Sequence, residues 1–130
     1  MNMNAKDFAD QWVTAWNAHD IEKVLAHFHD HATFSSPFAK QIVPASGGKL
    51  HGKNAIRDYW TTGIRAIPDL HFTIEDVFAG IDHLVILYKN QKGVRVSEIL
   101  RFDGDLVVEG HGTYPADIVN PTGSANRTQF

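Results

Sequence analysis

The stretch VRVSEILRF, residues 94–102, decides the fold. Val94, Val96, Glu98, Leu100 and Phe102 fall on one parity, and Arg95, Ser97, Ile99 and Arg101 on the other. A period of two with one apolar face is a strand packed on a core. The same alternation recurs on both sides: LHFTIEDVF (70–78), HLVILYKN (83–90) and LVVEGHGTY (106–114). The connections AGID, QKG and DGD are short turns, so neighbouring strands are expected to be antiparallel.

Upstream the period changes. In DFADQWVTAWNAHD (7–20), Phe8, Trp12 and Trp16 recur every four residues, with Ala9, Val13 and Ala15 beside them. That is one apolar stripe of a helix. Asp20 suits the N-cap of a second helix, IEKVLAHF (21–28), burying Ile21, Val24, Leu25 and Phe28. A short strand, ATFSS, ends before Pro37. Residues 38–49 contain Pro44 and the Gly47-Gly48 pair and read as a loop. A third helix, KNAIRDYWTTGIRAI (53–67), carries Ile56, Trp60, Ile64 and Ile67 and stops at Pro68. Three helices followed by a four- or five-strand antiparallel sheet make an α+β domain. One domain spans residues 1–130, with a polar tail over 116–130 that Ile118, Val119 and Phe130 are expected to anchor.

Composition narrows the function. A net charge of −3 and no Lys/Arg cluster argue against a nucleic-acid partner. The absence of cysteine rules out disulfides and thiolate chemistry. No apolar run reaches the length of a membrane span, and the start lacks a basic segment followed by an apolar one. The expectation is a cytoplasmic protein without membrane or nucleic-acid partners.

HFHDH (27–31) raises the question of a metal site. Read as a helix end and turn, it sends His29 to a different side from His27 and His31, and only Asp30 is available as an acidic ligand. We expect solvated histidines at a negative helix terminus and no metal. His19, His51, His71 and His83 lie at turns or polar strand positions and read the same way.

Glu98 is the sharper anomaly. A carboxylate at a core-facing position is costly unless paired, protonated or in a cavity. Leu106, Val108, Gly110, Gly112 and Tyr114 form one face of the next strand. Its two glycines suggest a hollow beside Glu98, although glycine in a strand also marks bulges and close packing. Glu98 is therefore either a pocket acid or a structural carboxylate held by an arginine or a tyrosine. Arg95 and Arg101 have the wrong parity to reach it from their own strand.

WVTAWNAHDIEKVLAHFHDHATFSSP, GKNAIRDYW, IPDLHFTIEDVF and LRFDGDLVVEGHGTY, in this order and spacing, resemble the SnoaL-like branch of the NTF2-like superfamily over roughly residues 5 to 115. The resemblance implies a cone, with a strongly curved antiparallel sheet wrapped around a helix and an apolar pocket inside. It also implies a homodimer packed through the sheet. Superfamily members include ketosteroid isomerases, polyketide cyclases, epoxide hydrolases and dehydratases. Matched by position, the isomerases' first-helix tyrosine falls on Trp12, the base carboxylate on Ser36, the late-strand acid on Glu98 and a pocket tyrosine on Trp60. The acid survives; the base and the phenol do not, and a serine without a nearby base cannot take a carbon acid's proton.

Three functions follow as alternatives. One is an isomerase- or cyclase-type enzyme on a small apolar carbonyl ligand, with Glu98 as acid or base and Tyr114, Ser36 or an indole polarising an oxygen. The second is a non-catalytic binder whose pocket is lined by Trp12, Trp16, Phe34, Trp60, Leu100, Gly110, Gly112 and Tyr114. The third is a dimerisation module with a filled cone. No cofactor is expected. Val77, Ile99 and Val107, read as outward-facing, form the expected dimer surface.

Overall fold

The computed structural model describes residues 3–122. Helix α1 (Ala5–Asn17) starts where the Asn4 side chain accepts the Asp7 backbone N–H, and it buries Phe8, Ala9, Trp12, Ala15 and Trp16. Helix α2 (Ile21–Leu25) is capped by Asp20, which accepts the Lys23 N–H. It is shorter than the sequence suggested. Its last turn tightens through a His27 N–H bond to the Val24 carbonyl, and Phe28 already opens strand β1 (Phe28–Ser35). HFHDH is thus turn and strand, not a helix end. Burial of Phe28, Ala32 and Phe34 decides the conformation, and a register shift between Phe28 and Thr33 bulges the histidines outward.

The segment read as a loop contains helix α3 (Pro37–Ile42), a single 3-10 turn (Pro44–Ser46) and strand β2 (Lys49–His51). Ser36 caps α3 by accepting the Phe38 N–H, with Pro37 in the first turn. Helix α4 (Lys53–Ala66) follows, then β3 (Thr73–Ala79), β4 (His83–Lys89), β5 (Arg95–Asp103) and β6 (Leu106–Thr113). The expected third helix is therefore the fourth.

The six strands form one sheet in the order β2-β1-β6-β5-β4-β3. All neighbours are antiparallel except β1 and β6, which pair in parallel. The early strand β1 closes against the last one because the helices between β1 and β3 carry the chain across the sheet. The result is an α+β cone, with Trp12, Trp16 and Trp60 buried inside it.

Two bulges correct the reading of which residues face out. A shift at Arg101/Phe102 reverses parity in β6, so Val107 is fully buried while Leu106 is exposed. In β3, Val77 pairs with inward-facing Ile86 and packs on the core. Of the three apolar residues expected outside, only Ile99 faces outward. The outer apolar row is Phe78–Val85–Ile99, in register across β3, β4 and β5. Ile118 and Val119 are buried as anchors of the C-terminal segment; Phe130 lies outside the described residues. Among the described residues no helix is long and apolar enough to cross a membrane.

Gly110 is required by close approach. A Cβ there would lie 3.0 Å from Phe34 Cδ1 and 3.2 Å from Leu100 Cδ2. At Gly112 the nearest atom would be Glu98 Oε1 at 3.5 Å, an ordinary contact. Gly110→Ala should therefore cost about 1–3 kcal/mol in urea unfolding, whereas Gly112→Ala should change the midpoint little. Equal effects at the two positions would refute this packing.

Candidate functional site

The cone encloses a cavity of about 70 Å³. Helix α1 supplies Trp12 and Trp16, β1 Phe34, and α4 Tyr59 and Trp60. The sheet supplies Tyr88, Val96, Glu98 and Gly112. Ser36 and Tyr114, just beyond the ends of β1 and β6, complete the polar wall. The volume is about half of the roughly 150 Å³ that admits a benzene in an engineered apolar cavity. A few non-hydrogen atoms fit without movement. The half-buried rim residues Phe38, Ile64, Ile67 and Phe72 would have to shift for a ring.

Glu98 lies on β5 opposite Ile86 of β4 and Gly112 of β6. It is 7% exposed, and among the described residues none that lines the cavity carries a positive charge. Arg95 pairs with Glu75 and Arg101 with Glu109, both on the outer face. Burial pushes the Glu98 carboxyl up to about 8, opposed by a hydrogen bond from the Tyr88 hydroxyl. That hydroxyl lies 3.4 Å from Glu98 Oε1. The Tyr59 hydroxyl lies 3.5 Å from Ser36 Oγ, and Tyr114 also bonds Ser36. Burial raises all three phenols above their ordinary range, and the carboxyl adds to the effect. Near neutrality the polar wall is thus a set of protonated donors: three phenols, a serine and a mostly neutral carboxyl. The Tyr88–Glu98 and Tyr59–Ser36 separations sit at the long limit of hydrogen bonding, which leaves room for a ligand oxygen among these groups.

Most of the residues expected at the pocket from sequence come together here: Glu98, Ser36, Tyr114, Trp12, Trp16, Phe34, Trp60 and Gly112. Leu100 and Gly110 do not line the cavity. Leu100 is fully buried, and the Phe34 ring covers the open face of Gly110, so only Gly112 leaves space. Tyr59 and Tyr88 were not anticipated. Tyr88 shares the inward parity of Leu84 and Ile86, and Tyr59 stands one turn after Ile56 on the buried face of α4. Both patterns were legible. Phe38 was hidden by the reading of α3 as a loop.

The histidines contribute nothing to this site. His27 packs edge-on against Phe8 at 4.8 Å, and burial lowers its pKa. His29 Nδ1 accepts the His31 backbone N–H, and His19 donates to the Leu70 carbonyl. Among the described residues no group of three or more His, Cys, Asp or Glu side chains is arranged to hold a metal.

The raised carboxyl makes stability depend on pH. Unfolded Glu98 ionises near 4.5, and folded Glu98 holds its proton to about 8. Between those values the unfolded state binds fewer protons, so stability falls as pH rises. The contribution is complete below the lower value and gone above the upper one. The slope reaches at most about 1.4 kcal/mol per pH unit. Urea unfolding from about pH 5 to about pH 8 should show this decline in the wild type and a flatter profile in Glu98→Gln. An unchanged profile in the variant would place the carboxyl elsewhere.

Comparison with known proteins agrees with this architecture. A family model described as SnoaL-like domain matches residues 9–124. A SnoaL-like protein of unknown function from Burkholderia thailandensis is 38% identical, with a TM-score of 0.81 over 85% of this chain and 93% of that one. An uncharacterized cystatin-fold protein from Novosphingobium aromaticivorans is 17% identical, with a TM-score of 0.70 over 86% of this chain and 99% of the other. An NTF2-like protein of unknown function from Cytophaga hutchinsonii is 11% identical, with a TM-score of 0.62 over 89% and 94%. The last two are likenesses of fold alone. No curated protein matches the chain. A buried acid in a curved-sheet cone and a family match over nearly the whole chain lead to one conclusion: the chain belongs to the SnoaL-like family.

Proposed function

We propose that the chain is an isomerase- or cyclase-type enzyme acting on a small, uncharged, carbonyl-bearing ligand, with Glu98 as its proton-transfer group. One observation carries this reading: a buried carboxyl without a counter-charge, pushed up to about 8, in the wall of an aromatic cavity. Such a group is a candidate functional acid or base. Its neutral form donates to a carbonyl oxygen; its ionised form takes a proton from the adjacent carbon. Ser36, Tyr59 and Tyr114 stand where they can polarise the same oxygen. The lack of a lining cation disfavours anionic ligands, and a volume of about 70 Å³ favours small ones.

The ketosteroid isomerase mechanism is not proposed, because its base position is Ser36, which already serves as the cap of α3. The small volume also supports a second reading, a non-catalytic binder or dimerisation module. Deuterium exchange at the α-carbon of small ketones, from acetone to cyclohexanone, separates the two. The wild type should accelerate exchange, increasingly as pH rises through about 8. Glu98→Gln should keep the fold and lose the acceleration. Binding of ketones without exchange would favour the binder.

We further propose a homodimer through the outer sheet face. Phe78, 56% exposed, stands in register with half-buried Val85 and Ile99 on three neighbouring strands. A contiguous apolar row on a sheet's outer face is suited to a partner surface. Sedimentation at micromolar concentration should give a dimer, and Phe78→Lys should shift it toward monomer. A monomeric wild type would end this reading.

A further inference from the structure

Phe72 lies between α4 and β3, outside both, yet its backbone is firmly tied. The Asn17 side chain, at the end of α1, accepts the Phe72 N–H through Oδ1 at 2.8 Å. Its Nδ2 donates to the Phe72 carbonyl at 3.0 Å. Both polar groups of this backbone unit thus find their partner in one side chain, 55 positions away in the chain. Two residues earlier, the Leu70 carbonyl is held separately by His19 Nε2 at 2.9 Å, and the Leu70 side chain is buried. The segment is anchored at Leu70 without Asn17, but the placement of Phe72 within it depends on Asn17.

That placement matters because the half-buried Phe72 ring is part of the cavity wall. It lies 4.3 Å from the Tyr88 ring and 5.7 Å from Trp16, and it stacks on Trp12 at 5.8 Å. Tyr88 is the residue whose hydroxyl meets Glu98. Of the four rim residues, Phe38 belongs to α3, Ile64 to α4 and Ile67 to the C-terminal cap of α4. Moving any of these three disturbs a helix. Phe72 belongs to neither a helix nor a helix cap, so what opposes its movement is its ring contacts and the two bonds from Asn17.

We propose that Asn17 is a positioning residue that sets the size limit of the cavity: its amide pins Phe72, and the pinned ring penalises cyclic carbonyl ligands relative to acyclic ones. The inference rests on the carbonyl-binding reading of the cavity, but not on turnover by Glu98. A cavity of about 70 Å³ takes a few non-hydrogen atoms as it stands. A six-membered ring enters only with Phe72 displaced, so its apparent affinity is reduced by the fraction of molecules in which the clamp is open. Two hydrogen bonds of ordinary net strength make that reduction about tenfold or more.

The test titrates the native protein with acetone and with cyclohexanone and follows the three tryptophan indole N–H signals by NMR. The ratio of the two dissociation constants is the readout. Asn17→Ala should move it toward cyclohexanone about tenfold. Asn17→Asp keeps the acceptor for the Phe72 N–H but sets an oxygen against the Phe72 carbonyl, and should move the ratio the same way. If Asn17→Ala does not fold, Asn17→Asp decides. Phe72→Leu should also favour cyclohexanone, and combining it with Asn17→Ala should add little, because one residue acts through the other. A merely structural Asn17 would lower the melting temperature and change both ketones alike. An unchanged ratio, additive effects in the double variant, or no indole shift with either ketone overturns the proposal. The expected ratios without exchange at the α-carbon support it and count only against Glu98 as the proton-transfer group.

Discussion

A strongly curved sheet leaves a concave space that must be filled, and here it is filled by rings. Trp12, 1% exposed, stacks on Phe72 at 5.8 Å and leans on Tyr88 at 5.4 Å. Trp16 meets Trp60 at 4.9 Å, and Trp60 meets Phe28 at 5.3 Å and Phe34 at 5.6 Å. These contacts tie α1 and α4 to the sheet's inner face and to each other. Truncating one such ring to alanine would cost about 3–5 kcal/mol. Flat, rigid rings also pack imperfectly against a curved wall. The remaining gap, with a carboxyl at its edge, is the residue of that mismatch and the seat of the candidate chemistry.

How much of this was legible before the fold was seen depends on the range of the interaction involved. The helix stripe of Phe8, Trp12 and Trp16 and the strand parity around Glu98 are local periodicities, and both appear in the structure as read. The cap at Asp20 is equally local. Three bulges were not legible, because a bulge is settled by pairing partners far along the chain. They moved Val107 and Val77 inward and pushed the histidines of HFHDH outward. Helix α3 is six residues long, too short for a period to show. In the site, Glu98 stood out because its polarity violates its surroundings. Tyr59 and Tyr88 did not, because a tyrosine at a buried position looks like any other core ring until its hydroxyl finds a neighbour.

Strand alternation gives the sheet two chemistries from adjacent residues. Ser36 and Gly112 line the inner cavity, while Ser35 and His111, one position earlier in each strand, are hydrogen-bonded on the outer face. Inside, water is scarce and a carboxyl keeps its proton. Outside, the two glutamates in ion pairs with Arg95 and Arg101 stand near solvent. The backbone between them is the same two strands, so a change of register at Phe28/Thr33 would exchange the residues presented on each side.

All three tryptophans of the chain stand on the wall of one cavity. Trp16 lies 6.4 Å from Trp12 and 4.9 Å from Trp60, so excitation absorbed by one indole is readily shared with the others. The ultraviolet emission of the whole molecule therefore originates around the gap between them. An occupant of that gap would alter the entire signal and not a third of it, so the protein carries its own optical gauge of occupancy without any added dye.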